Sequence, residues 1–80
     1  MKVQIIQGNF DAKDALDILT KMIHVKIKFQ EDKINNASGE EEIKMRENRI
    51  IKLQRDLFDI RKHIESQGMK IAIQSSITID

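Results

Sequence analysis

The sequence predicts an α+β fold of β-α-α-β order, with a long antiparallel helical hairpin between two antiparallel terminal strands. Three observations support this prediction. Apolar and polar residues alternate at both ends of the chain, two long segments between them follow the period of an α-helix, and one loop rich in turn formers separates those segments. Two long helices joined by a short loop must double back, so the terminal strands should lie side by side and run antiparallel.

Composition indicates one small domain spanning residues 1–80. The chain has 80 residues, a formal net charge of +1 and no Cys, Pro, Trp or Tyr. Without cysteine there is neither a disulfide nor a Cys-ligated metal site to support a small core. No uncharged apolar run approaches the roughly 18 residues of a membrane span, and the N-terminus does not follow the pattern of a secretory signal, so we expect a cytoplasmic protein without a membrane partner.

The N-terminal segment predicts a short strand followed by a helix. Met1, Val3 and Ile5 fall on one side of an extended chain, which Gly8-Asn9 is expected to interrupt. Asp11 is a plausible N-cap for a helix that continues to Ile34.

Residues 23–30 carry two conflicting signals. The segment HVKIKFQ at 24–30 alternates as a strand would and includes β-branched residues, yet the helical pattern passes through it without a Gly, Pro or Asn to make a turn. We favour a continuous helix over a strand here.

The second helix follows the loop at residues 35–39. Ser38 with Glu41 three positions later fits a capping box, and Gly68 is a natural residue to end the helix. A heptad pattern of apolar residues lies between them, with Arg46 and Gln67 replacing apolar residues at its two outer positions: Ile43, Ile50, Leu53, Leu57, Ile60 and Ile64.

The C-terminal tail is the clearest strand in the sequence. Met69, Ile71, Ile73, Ser75 and Ile77 share one face, and polar residues occupy most of the other.

Homodimerisation is expected to complete the fold. The first helix carries an apolar arc of about 200°, roughly twice what one partner helix can cover, and a two-stranded sheet is marginal alone. Two hairpins could form a four-helix bundle, or the tail strands could pair across a two-fold axis. The residues predicted to form the dimer or hairpin core are Leu19, Ile23, Phe29, Ile50, Leu53, Leu57, Ile60, Ile64, Ile71 and Ile73.

Lys26 is a misfit on the apolar side of the first helix. Folding the chain about residue 37 places Lys26 opposite Glu47, so a partly buried ion pair could fix the register of the hairpin. Alternatively, Lys26 extends along its aliphatic stem to solvent.

A basic stretch on the second helix is the candidate nucleic-acid-binding surface, formed by Lys44, Arg46, Arg49, Lys52 and Arg55. Nearby acids and a net charge of only +1 favour a solvated helix face instead.

No motif indicates catalysis. The sequence has no nucleophile elbow and no glycine-rich phosphate loop, so we predict no catalytic residues, no cofactor and no enzymatic activity. Asp59 and His63 have a spacing that zinc accepts, but two side chains on a solvated face are more often a surface contact, and we predict no metal site.

We therefore predict a noncatalytic homodimeric interaction or adaptor module that presents a helical hairpin to an unidentified protein partner. The alternative is a nucleic-acid-associated protein that uses the basic helix face. The same apolar residues could serve a homodimer or a heteromeric docking face, which the sequence alone does not separate.

Overall fold

The predicted order of elements is confirmed. The computed structural model describes residues 1–37, 39–68 and 70–80. Its elements are β1 (Lys2–Asp11), α1 (Ala12–Asn35), α2 (Glu40–Gln67) and β2 (Lys70–Thr78), and the two strands pair antiparallel. The chain is thus an α+β protein built from a helical hairpin and a two-stranded ribbon.

Helix α1 is continuous over 24 residues, so residues 23–30 are helical. The alternation in this segment does not produce a strand, because no turn former separates it from the helix on either side and the backbone hydrogen bonds of the helix run through it. Within this helical segment Val25 and Phe29 lie outside the hairpin core, and both are exposed.

Asp11 ends β1 and precedes the first residue of α1, as expected of an N-cap, and its backbone is extended. Its side chain forms no capping hydrogen bond. Instead the carboxylate accepts a hydrogen bond from Lys70 Nζ at 2.7 Å. This bond raises the pKa of Lys70 and ties the start of α1 to the start of β2.

Helix α2 begins with three glutamates at positions 40–42, whose charges suit the positive end of the helix dipole. Gly39 is the N-cap residue, and the predicted capping box depends on Ser38, which lies outside the described residues. Gly68 ends the helix with φ 91°, a conformation that residues with a side chain rarely adopt. The expected glycine stop is confirmed.

Strand β1 is longer than the sequence pattern predicted. Gly8-Asn9 does not interrupt it, since Gly8 pairs with Ile73 and Asn9 with Ala72. Gly8 adopts φ 147° within the strand, a conformation that residues with a side chain rarely adopt. The ring of Phe10 lies beside Gly8, on the side where a Cβ atom would stand.

A β-bulge changes which residues of β1 face the helices. The register shifts between Gln4 and Ile6, so that Val3 pairs with Ile77 and Ile6 with Ser75. Paired residues lie on the same face, which places Ile6 with Val3. The predicted alternation is interrupted at Ile5, which has no partner in this register and is 47% exposed.

The core lies where the hairpin meets the ribbon. Ala15 of α1, Ile64 of α2 and Ile71 of β2 are buried together. Partly buried apolar residues pack around them: Phe10, Ala12, Leu16, Leu19, Ile60 and Ile73. Farther along the hairpin, Ile23 and Leu53 are also buried.

The predicted core residues differ in their burial. Ile23, Leu53, Ile64 and Ile71 are buried. Partly buried are Leu19, Ile50, Leu57, Ile60 and Ile73. Phe29 is 52% exposed, so it does not belong to the core of a single chain.

The molecule is elongated and flat. Its radius of gyration is 15.1 Å, compared with about 12 Å for a compact chain of this length, and its principal extents are 46 × 32 × 13 Å. In the described parts of the chain neither helix has an apolar stretch that could cross a membrane.

Replacing Ile64 by Ala should lower the free energy of unfolding by about 2–5 kcal/mol, because the change opens a cavity in the small core. Ile51→Ala on the same helix is the matched control, since Ile51 is 44% exposed and its truncation should cost well under 1 kcal/mol in a single chain. Urea denaturation of both variants at one protein concentration measures the difference. Equal losses would contradict the assignment of the core.

Candidate functional site

Arg46 lies inside the hairpin rather than on the basic face to which the sequence assigned it. Its side chain is only 16% exposed. One terminal nitrogen donates to Gln30 Oε1 at 3.0 Å, and the other lies 3.6 Å from Glu42 Oε1. Its Nε is buried without a hydrogen-bond partner in the described structure. Arg46 is thus a polar contact between the helices and has little freedom to bind a phosphate.

The predicted Lys26–Glu47 ion pair is not formed between these two described residues. Both side chains are exposed, and they line different clefts along the hairpin. A fold about residue 37 would bring together positions whose residue numbers add to about 74. The bond between Gln30 and Arg46 shows that facing positions add to about 76 instead. This offset of two residues moves Lys26 away from Glu47. The alternative, in which Lys26 reaches solvent, matches its exposure.

The remaining basic residues of α2 are exposed but dispersed among acids. Lys52 is paired with Asp56 at 2.9 Å. Lys44, Arg49 and Arg55 form no ion pair with any residue that the structure describes. The hairpin brings Lys26 of α1 into one cleft with Arg49 and Lys52. This cleft joins two members of the predicted basic set to a lysine of α1, and Asp56, the partner of Lys52, also lines it.

The outer side of α1 carries an apolar row that the hairpin covers only in part. Ile18, Met22, Val25 and Phe29 follow one another at intervals of four, three and four residues, the spacing of a coiled-coil seam. We call this row the α1 stripe. Val25 is 69% and Phe29 52% exposed, and Ile18 and Met22 are partly exposed.

Sequence reasoning detected the α1 stripe only as part of a broad apolar arc. The interval pattern was available in the sequence, but the position of α2 was needed to show which apolar row of α1 stays outside. One end of the stripe is bordered by charge, since Lys33 Nζ lies 5.5 Å from the centre of the Phe29 ring.

Two smaller apolar surfaces are also exposed. On α2, Ile51 and Phe58 are 44% and 57% exposed, and they stand seven residues apart with polar residues between them. On the ribbon, Val3, Ile77 and Ile79 extend beyond the part that the hairpin covers. The fold therefore exposes apolar side chains on α1, on α2 and at the ribbon tip.

An apolar cleft lies between the hairpin and β2. Leu19, Ile60, Ile64, Ile71 and Ile73 form most of its wall, and Asp59 and His63 also line it. Among the described residues no three histidine or carboxylate side chains are grouped in a way that would hold a metal ion.

Two lysines of α1 are held by local ion pairs. Lys21 lies 3.0 Å from Asp17 and Lys28 lies 3.0 Å from Asp32, one helical turn apart in each case. The hydrogen bond to Asp32 raises the pKa of Lys28. These pairs lie on exposed surface, where solvent weakens them.

Comparison with known proteins gives no relative. No protein-family model, curated protein or solved structure matches this chain.

Replacing Gln30 by Ala should lower the free energy of unfolding by about 1–3 kcal/mol, because it removes the neutral partner of a largely buried guanidinium. Glu47→Ala is the control and should change stability by less than about 0.5 kcal/mol, since Glu47 is exposed and unpaired with Lys26. Combining Gln30→Leu with Arg46→Met should restore stability, because both polar groups then leave the interface together. Denaturant titrations of the four proteins check this. A stability loss confined to Glu47→Ala would contradict the described interface.

Proposed function

We propose that this protein is a noncatalytic homodimeric interaction module, in which two copies join through apolar surface and present their helical hairpins to a protein partner. The observation that supports the proposal is that the chain exposes more surface than a folded monomer of its size normally does. The chain exposes 6369 Å², whereas size scaling gives roughly 5,000 Å² for a folded monomer of 9.3 kDa.

The difference between the observed and the expected surface area is similar in size to the area that a dimer interface buries. It is about 1,400 Å² per chain, and obligate dimers bury roughly 1,000–2,500 Å² on each partner. Among the residues that the structure describes, ten large apolar side chains are exposed, which supplies apolar area for such an interface.

The limited core supports the same proposal. Five apolar residues are buried in the described structure, and none of the larger side chains is completely enclosed. A chain of this size with so few buried side chains is marginal alone, and it lacks cysteines that could form a disulfide. Association with a second copy would provide the missing burial.

Sedimentation equilibrium or light scattering at micromolar concentration should give a mass of about twice 9.3 kDa. Thermal unfolding should shift to higher temperature as protein concentration rises, because mass action stabilises a dimer. A folded monomer, shown by helical circular dichroism and a mass of 9.3 kDa, would overturn the proposal.

A second candidate function is association with nucleic acid through the cleft that joins Lys26, Arg49 and Lys52. The specific support is that two helices contribute cations to one place. Against it, Asp56 lines the same cleft and is paired with Lys52.

If this second function operates, binding of a short RNA or DNA duplex at low salt should weaken steeply as salt is added, since phosphate contacts release counterions. Arg49→Gln should reduce the slope of log affinity against log salt by about one. Lys44→Gln, which changes an exposed cation outside the cleft, is the matched control. Absence of binding at low salt by fluorescence anisotropy would remove this candidate.

A further inference from the structure

The α1 stripe has the geometry of a surface that pairs with itself. Its residues occupy positions 18, 22, 25 and 29, so the row is symmetric about a point between residues 23 and 24. Helix α1 runs from Ala12 to Asn35 and has its midpoint at the same place. Two copies of α1 placed antiparallel about this point would overlap along their whole length.

Such a pairing creates two kinds of apolar layer. Ile18 of one chain lies level with Phe29 of the partner subunit, and Met22 lies level with Val25 of the partner subunit. Each layer then occurs twice, as a two-fold axis requires. Each also joins a larger side chain to a smaller one, an arrangement that lets facing side chains interdigitate.

Two of the lysines that border the α1 stripe are paired with acids of their own chain. Lys21 is neutralised by Asp17, and Lys28 by Asp32, within each chain. At the ends, Asp14 in the first turn of α1 comes level with Lys33 in the last turn of the partner's α1. The antiparallel arrangement also places the two helix dipoles in opposition, which favours their side-by-side contact.

We propose that the second copy of this chain covers the α1 stripe, with the two α1 helices packed antiparallel about a two-fold axis near residues 23 and 24. This inference rests on the homodimer proposed above and specifies its interface. The dimer is then a four-helix assembly in which the α1 helices are central, the α2 helices are outside, and the two ribbons lie at opposite ends.

The exposed apolar residues of α2 fit a second copy less well than the α1 stripe does. On α2 the exposed Ile51 and Phe58 are separated by two helical turns, with Gln54 in the position between them. A seam needs an apolar residue at each turn, which the α1 stripe provides and α2 does not.

The first test introduces a charge at the exposed position 25 of the α1 stripe. Val25→Glu should raise the dimer dissociation constant by roughly 100-fold or more, because each dimer would bury two unpaired carboxylates at its centre. Glutamate has a higher helix propensity than valine, so α1 should still form. Sedimentation velocity over a concentration series gives the dissociation constant, and circular dichroism gives the helix content.

A matched pair of phenylalanines supplies the control. Phe29 and Phe58 are similarly exposed, and each has a lysine over its ring, Lys33 at 5.5 Å and Lys62 at 4.9 Å. Phe29→Glu should weaken the dimer as Val25→Glu does, whereas Phe58→Glu should change its dissociation constant less than about threefold, as expected of a residue outside the interface. A dimer disrupted only by Phe58→Glu would overturn the assignment to α1.

Cross-linking tests the direction of the helices. The chain has no cysteine, so Ile18→Cys and Phe29→Cys variants each carry a single thiol. Oxidising an equimolar mixture of the two, with one carrying a mass label, should give mainly the mixed disulfide between positions 18 and 29. Predominant disulfides between identical positions would indicate parallel helices and overturn the proposed axis.

The outcomes separate the interface from the dimer itself. A wild-type dimer that resists Val25→Glu and gives no mixed disulfide would overturn the α1 interface and leave the homodimer standing. A wild-type monomer would overturn both. Loss of the dimer in Val25→Glu with full helix content, together with the mixed disulfide, supports the proposed interface.

Discussion

The fold depends on one contact, the packing of Ala15 against Ile64 and Ile71. Three elements meet there: the first turns of α1, the last turns of α2 and the start of β2. Ala15 is completely buried, so its small side chain sets how closely the elements approach. The hairpin and the ribbon both extend away from this point, which explains the radius of gyration of 15.1 Å.

A core confined to one end has a direct consequence for the surface. Beyond the contact of Ala15, α1 has a single neighbouring helix, yet its apolar residues cover a wider arc than one helix can bury. The ribbon has the same excess at its far end, where Val3 and Ile77 pair beyond the hairpin. Surplus apolar surface is thus built into the arrangement of elements, and an interaction with a second polypeptide is the physical means of removing it from water.

Sequence patterns predicted the elements because those patterns are local. The period of 3.6 in α1 outweighed the alternation at residues 24–30, and alternation predicted β2, since both depend on neighbouring positions. The bulge near Ile5 was not predictable, because it depends on how β1 pairs with a strand at the other end of the chain. The Lys26–Glu47 pairing failed for a similar reason: an offset of two residues between helices turns a side chain to another side.

Gln30 and Arg46 offer a physical reason why one apolar row of α1 faces α2 and the other stays outside. Helix α1 has two such rows, one containing Leu19 and Ile23 and the other the α1 stripe. Rotating α1 to bury the α1 stripe against α2 would carry Gln30 away from Arg46 and leave a guanidinium, only 16% exposed at present, without its neutral partner. That loss disfavours the rotated hairpin. A polar pair inside the hairpin therefore keeps the α1 stripe on the surface, where a second copy can reach it.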